Sequence, residues 1–302
     1  MRYRPGSQPD HHTRIAAAAL LFVLALVSSF TKAHAHGDVH LQIELITPKI
    51  ESAPTAELHV KRADLHRLDE NFMAALADLE RAEKINPALD TIFMTRGRTQ
   101  FEAGRFEQAI PALNRLLEAK PDHPEGLIFR ARSYRALDDH AAAMKDYDHL
   151  VAVMPLPAPD CFLERAASLV ALKRPQDAVR SLDEGIDRLG NLTVLQQAAM
   201  QIEVDVQHYD AALARTERIM AVLQRKEVCL ERRGDILAAA GRQSEALKAY
   251  ADALNALALL PEFHRHVQPM RELEARLKTY LGAQASNVTQ FPSTNQANTT
   301  SP

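Results

Sequence analysis

A chain of 302 residues with 36 Lys and Arg against 39 Asp and Glu, net -3, has no bulk positive charge with which to hold nucleic acid. Ten glycines, no Trp and a preponderance of Ala, Leu, Arg and Glu favour helix. The two cysteines, Cys161 and Cys229, share no metal-ligand or redox spacing, which excludes a cysteine-based metal or redox motif.

At the N-terminus Arg2, Arg4 and Arg14 precede an unbroken apolar run from Ile15 to Val27, and Ala33-His34-Ala35 follows. A positive segment, an apolar core and an A-x-A site describe a secretory signal peptide over residues 1–35. Cleavage after Ala35 would leave His36 first and place the mature chain in the periplasm or outside the cell. The alternative is an uncleaved inner-membrane anchor, although the run is shorter than the ~20 residues a spanning helix needs. His34, His36 and His40 cluster here. An N-terminal histidine, or one third from a free amine, can chelate copper or nickel, so His36 and His40 are the candidate metal ligands.

Residues 36–54 form a capping segment. Val39, Ile43, Ile46 and Ile50 fall on one helical face, while Val39, Leu41, Ile43 and Leu45 also alternate as a strand would. A helix covering the end of the array is preferred, since a strand finds no sheet to join; Pro48 argues against it.

From there one small residue keeps returning. Alanine stands at 75, 109, 143, 178, 212 and 246, at intervals of 34, 34, 35, 34 and 34. A period near 34 is the mark of stacked helical hairpins. In the stretch Asp90 to Pro121, Phe93, Gly97 and Gln100 mark a first helix, and Ala103-Gly104-Arg105-Phe106 makes a turn in which Gly104 can take a positive φ. Ala109, Leu113 and Leu116 then line a second helix, and Pro121 closes it.

This pattern resembles the tetratricopeptide repeat family over residues 55–261, in an exported protein of bacterial type. The resemblance implies an all-α fold, an α-solenoid of about six helix-turn-helix repeats with terminal capping helices. The repeats fall at 56–89, 90–123, 124–158, 159–192, 193–226 and 227–261. Where the family places a small residue on the first helix, this chain has Ala63, Gly97, Ala131, Ala166 and Gly234. Aromatics stand at the inter-helix turn at Phe72, Phe106 and Tyr209, and closing prolines at Pro87, Pro121 and Pro155. Helices approach closely only where side chains are small. The fifth repeat has Met200 at the small position and the fourth carries Pro175 at its turn, so these two are expected to be the loosest. A capping helix is expected over 262–281, with Leu273, Leu277 and Leu281 as its apolar stripe. The tail 282–302 is rich in Ser, Thr, Asn and Gln and is expected to be disordered.

Arginine recurs one residue before the small position, at 62, 96, 130, 165 and 233, and an aspartate follows Arg62 and Arg130 sixteen residues later, at Asp78 and Asp146. Pairing across the hairpin satisfies both charges. The resemblance implies that a partner binds on the concave face, at positions that here hold Arg67, Met94, Arg98, Phe101, Arg132 and Arg135. The later repeats present Leu163, Val170, Gln197, Gln201, Glu231 and Asp235. A cationic front with apolar inserts suits an acidic or extended peptide. The lysine and asparagine with which some family members grip a chaperone's C-terminus are replaced by Val60, Asp64, Thr95, Glu125 and Phe129. Stacked repeats put Cys161 and Cys229 beyond the ~7 Å reach of a disulfide, which predicts free thiols. No phosphate loop, H-E-x-x-H or G-x-S-x-G occurs. These features predict a non-catalytic scaffold that needs no cofactor and binds a protein or peptide; the alternative is a copper or nickel accessory protein acting through His36 and His40.

Overall fold

The computed structural model describes residues 38–288. The expected signal segment, with His34 and His36, and the tail from residue 289 onward lie outside the described residues. Among the described residues every regular element is a helix and none is long and apolar enough to cross a membrane.

The chain divides into two compact units, Met1–Leu150 and Val151–Pro302, the division falling in the last turn of a helix. The first unit holds α1 (38–52), α2 (Ala56–Leu68), α3 (Phe72–Ile85), α4 (Asp90–Glu102), α5 (Phe106–Ala119), α6 (Pro124–Ala136) and α7 (His140–Val153). The second holds α8 (Pro159–Ala171), α9 (Pro175–Leu189), α10 (Thr193–Asp205), α11 (Tyr209–Val222), α12 (Glu227–Ala239), α13 (Gln243–Ala258), α14 (Glu262–Arg265) and α15 (Gln268–Val288). From α2 to α13 the helices alternate as first and second members of hairpins.

The recurring alanines sit at the seams. Ala63, Ala75, Ala109, Ala131, Ala143, Ala166, Ala178, Ala212 and Ala246 are all at most 2% exposed. Gly97 and Gly234 are buried where the backbones come closest. A Cβ at Gly97 would lie 2.5 Å from Cγ of Leu113, and one at Gly234 only 2.3 Å from Cε1 of Tyr250. Larger apolar residues then fill the flanks, as Leu79, Ile92, Phe93 and Leu116 do around Ala75 in the first unit. In the fifth hairpin Ala199 is fully buried beside the bulkier Met200.

Each hairpin turns in the same way. Glu70, Gly104, Asp138, Lys173, Gln207 and Gly241 all have φ between 58° and 75°, at the period of the alanines. The N–H of Glu70 donates to the carbonyl of Arg67 and that of Asn71 to His66, and the same pair of bonds recurs at the other five turns, for example Lys173 to Val170 and Arg174 to Leu169. This is the double closure of a helix end that needs one left-handed residue. Four of the six positions meet the need without glycine, at a steric cost of roughly 1 kcal/mol each.

Both ends are covered by helices. In α1, Ile46 and Ile50 bury against Leu65, with Val39, Ile43 and Leu58 around them. That burial holds the helix through Pro48. At the other end α15 packs Met270, Leu273 and Leu277 onto Tyr250, Ala253 and Leu257. Two boundaries differ from the sequence expectation. The single helix over 262–281 is two, because Pro269 lacks an N–H and so favours a fresh helix start near Gln268. α15 also continues through Val288, past the residue at which the tail was placed.

Candidate functional site

Within the first unit, α4 packs against both α2 and α6, so the first helices of three hairpins lie side by side. With α1 they frame a groove of about 680 Å³. Its apolar floor is Val60, Leu65, Leu68, Leu89 and Met94, and its rim includes Glu57, Lys61, Asp64, Arg98 and Glu125. Leu68 is 48% exposed, and Val60, Leu89 and Met94 are half-buried against the core below.

Two of the six expected binding residues, Met94 and Arg98, line this groove. Arg98 donates to Glu102 at 2.9 Å, and its guanidinium carbon lies 5.5 Å from the centre of the Phe129 ring. Phe101 joins the same cluster, 5.4 Å from Phe129 and 5.5 Å from Phe106. Arg132 and Arg135, on α6, are half-buried, do not line the groove, and each is engaged with other groups of the chain.

Arg67 has a different place from the one expected. It is 5% exposed and donates to Asp64 at 2.8 and 2.9 Å and to Glu102 at 2.7 Å. Glu102 stands on the next hairpin, so Arg67 ties two repeats together and is withdrawn from the binding face. The groove is therefore not a cationic strip. Three carboxylates, Glu57, Asp64 and Glu125, line it against Lys61 and Arg98. Lys61, Asp64 and Leu68 share one face of α2, at i, i+3 and i+7, but nothing in that spacing sets them apart from other helical surface residues; the packing of α4 beside α2 is what makes the face a groove wall.

The recurring arginines are structural. Arg62 holds Asp78 with two bonds of 2.6 and 2.7 Å, and Arg130 holds Asp146 with two of 2.6 and 2.9 Å. Arg96, Arg165 and Arg233, which lack the aspartate, reach Glu83, Glu184 and Glu217 at 2.7, 2.7 and 2.9 Å. Asp78 also receives His59 at 3.1 Å and Arg81 at 2.9 Å. Burial pushes its pKa up, but these hydrogen bonds and the charge of Arg62 more than offset it, and the carboxyl sits below its ordinary 3.8.

His40 lies 3.3 Å from Asp69, and among the described residues no group of three or more His, Cys, Asp or Glu is placed to hold a metal ion. Cys161 and Cys229 are both buried and are not joined in a disulfide. Burial, first of all, pushes the Cys229 thiol above its ordinary range, which makes it a poor nucleophile.

Residues 67–133, from the end of α2 through α6, match the family model of the tetratricopeptide repeat. Three solved structures resemble the chain. A tetratricopeptide repeat protein from Parabacteroides merdae is 19% identical, with 80% of this chain and 93% of that one covered and a TM-score of 0.51. The C-terminal part of a TPR repeat-containing protein from Cytophaga hutchinsonii is 13% identical, with 76% and 95% covered and a TM-score of 0.61. MamA from Desulfovibrio magneticus, residue 41 to its end, is 12% identical, with 55% and 94% covered and a TM-score of 0.50. No curated protein matches the chain. At these identities the likeness shows the fold, an all-α array of hairpins of the tetratricopeptide type.

Proposed function

We propose that the chain is a non-catalytic scaffold that holds an extended peptide segment of a protein partner in the groove of its first unit, in an exported compartment. The observation that carries this reading is the open apolar floor. Val60, Leu68, Leu89 and Met94 line a groove across neighbouring first helices. An extended chain laid there would bury apolar side chains on the floor and meet charges of both signs on the rim. The mixed rim favours a partner that alternates apolar and polar residues over a uniformly acidic one. Export rests on the sequence alone, on the Arg2–Arg14 basic segment, the apolar run to Val27 and the Ala33-His34-Ala35 site.

The test is a titration with peptides selected from a random display library against the full chain. Met94→Glu and Leu68→Asp each place a charge on the apolar floor. Each is expected to weaken the selected peptides about tenfold or more, with helicity and melting temperature close to wild type. Unchanged affinity in both variants would remove the groove from the account.

A further inference from the structure

In the second unit the first helices α10 and α12 also lie near one another, and a recess of about 370 Å³ opens between them. Met200, Ile219, Leu223 and Val228 make it apolar, and Val228, at 55% exposure, stands at its mouth. The volume admits one large aliphatic side chain with part of its backbone. Two arginines and two glutamines line it, and no carboxylate does.

The reason lies in what has become of the acids on α12. Glu227 is buried and ion-pairs Arg225 at 2.6 Å. Glu231 accepts two bonds from Arg276 of α15, at 2.8 and 3.0 Å. Asp235 accepts the hydroxyl of Tyr250 at 3.0 Å. Each carboxylate is thus held by another group. Arg232, half-buried on the same helix, hydrogen-bonds the side-chain oxygen of Gln201 and forms no ion pair among the described residues. A neutral amide offers the guanidinium one acceptor and no opposite charge, where a carboxylate would add an ion pair and can bind bidentately.

The geometry points to a second binding site here, one that takes an acidic peptide segment by seating an aliphatic side chain in the recess and bringing a neighbouring carboxylate to Arg232. Gln197, exposed beside the recess, has an amide that can pair with the peptide backbone, while Gln201 is already engaged by Arg232 and Asp205. The recess shares no lining residue with the groove of the first unit and lacks that groove's carboxylates, and it does not depend on the groove being correct.

The experiment uses the full chain with labelled methionine and isoleucine methyls, titrated with the synthetic peptide Gly-Ser-Glu-Leu-Asp-Gly-Ser. The methyl signals of Met200 and Ile219 are expected to move saturably. They should stay in place when lysine replaces both acids or serine replaces the leucine. Arg232→Gln should weaken binding about tenfold, as loss of one charge-assisted bond does, while Lys248→Gln, on the exposed side of α13, should not. Val228→Asp, which puts a negative charge in the mouth, should abolish the response even if Arg232→Gln proves hard to fold. An equal response to the lysine peptide, or none to the acidic one, overturns the proposal. So does displacement of the peptide by dodecanoate, which would assign the recess to an acyl chain. The same shifts on concentrating the protein alone would assign it to a second copy, and overturn it too.

Discussion

Replacing Asp78 by alanine is expected to destabilise the first unit by about 3–5 kcal/mol, the usual result of removing one partner from a buried charge pair. Asp78 is 1% exposed and serves Arg62, His59 and Arg81 together. Without it Arg62 keeps, among the described residues, a bond to Thr47 at 3.2 Å and the weaker pull of the Glu51 charge, and His59, itself 5% exposed, loses Asp78 as its partner. Asp146→Ala should cost less, because Arg130 retains Asn114 at 2.8 Å. Urea unfolding of the two variants compares them directly; equal, small losses would mean that these pairs are incidental. The pH dependence carries a second sign. The folded pKa of Asp78 lies below its ordinary value, so its contribution is present above the unfolded pKa and is lost as pH falls through the folded one. His66 is held below its ordinary 6.5, chiefly by burial, so the unfolded chain binds that proton first and stability also falls as pH drops below 6.5. Asp78→Ala should therefore flatten the most acidic part of the stability curve and deepen the loss that begins near pH 6.5, because the charge of Asp78 is what partly offsets the burial of His66.

Phe162→Ala is expected to cost the second unit about 3–5 kcal/mol. The ring is fully buried, and a Cβ at Gly185 would sit 2.8 Å from its Cγ and 3.1 Å from a methyl of Leu195. Phe162 thus fills the space that Gly185 leaves between α8 and α9, and neither backbone can close over the cavity without meeting the other. Arg188, whose guanidinium carbon lies 5.8 Å from the ring centre, would lose its apolar face while keeping its bonds to the carbonyls of Val151 and Pro155. A loss under about 1 kcal/mol in urea unfolding would mean that the α8–α9 seam collapses onto the gap, contrary to the tight packing of this region.

The alanine period made the hairpins legible, because a seam between helices leaves a mark in residue size. The place of the turns is marked by Phe72, Phe106, Tyr209 and Pro175, but their left-handed residue is legible only where glycine stands, at Gly104 and Gly241. At Glu70, Asp138, Lys173 and Gln207 the same left-handed residue is imposed by the double hydrogen bond that ends the helix, and side-chain type does not report it. A fixed offset of sixteen residues revealed the partners of Arg62 and Arg130. The place of Arg67 is not legible for a related reason: its partner Glu102 stands 35 residues on, in another hairpin, where intra-repeat spacing does not reach. Met94 and Arg98 could be read as groove residues from their place on α4. The sign of the groove could not, since it depends on which arginines are already paired and on the carboxylates that α2 and α6 bring in.

The most direct measurement places a photo-crosslinking phenylalanine at Met94 on the groove floor and, in a second protein, at the exposed Lys84 on α3. Both are irradiated with a peptide selected against the full chain. Peptide adducts from position 94 and none from position 84 are the predicted result. Adducts from position 84 alone, or none from position 94 at saturating peptide, would contradict the groove as the place where the partner is held.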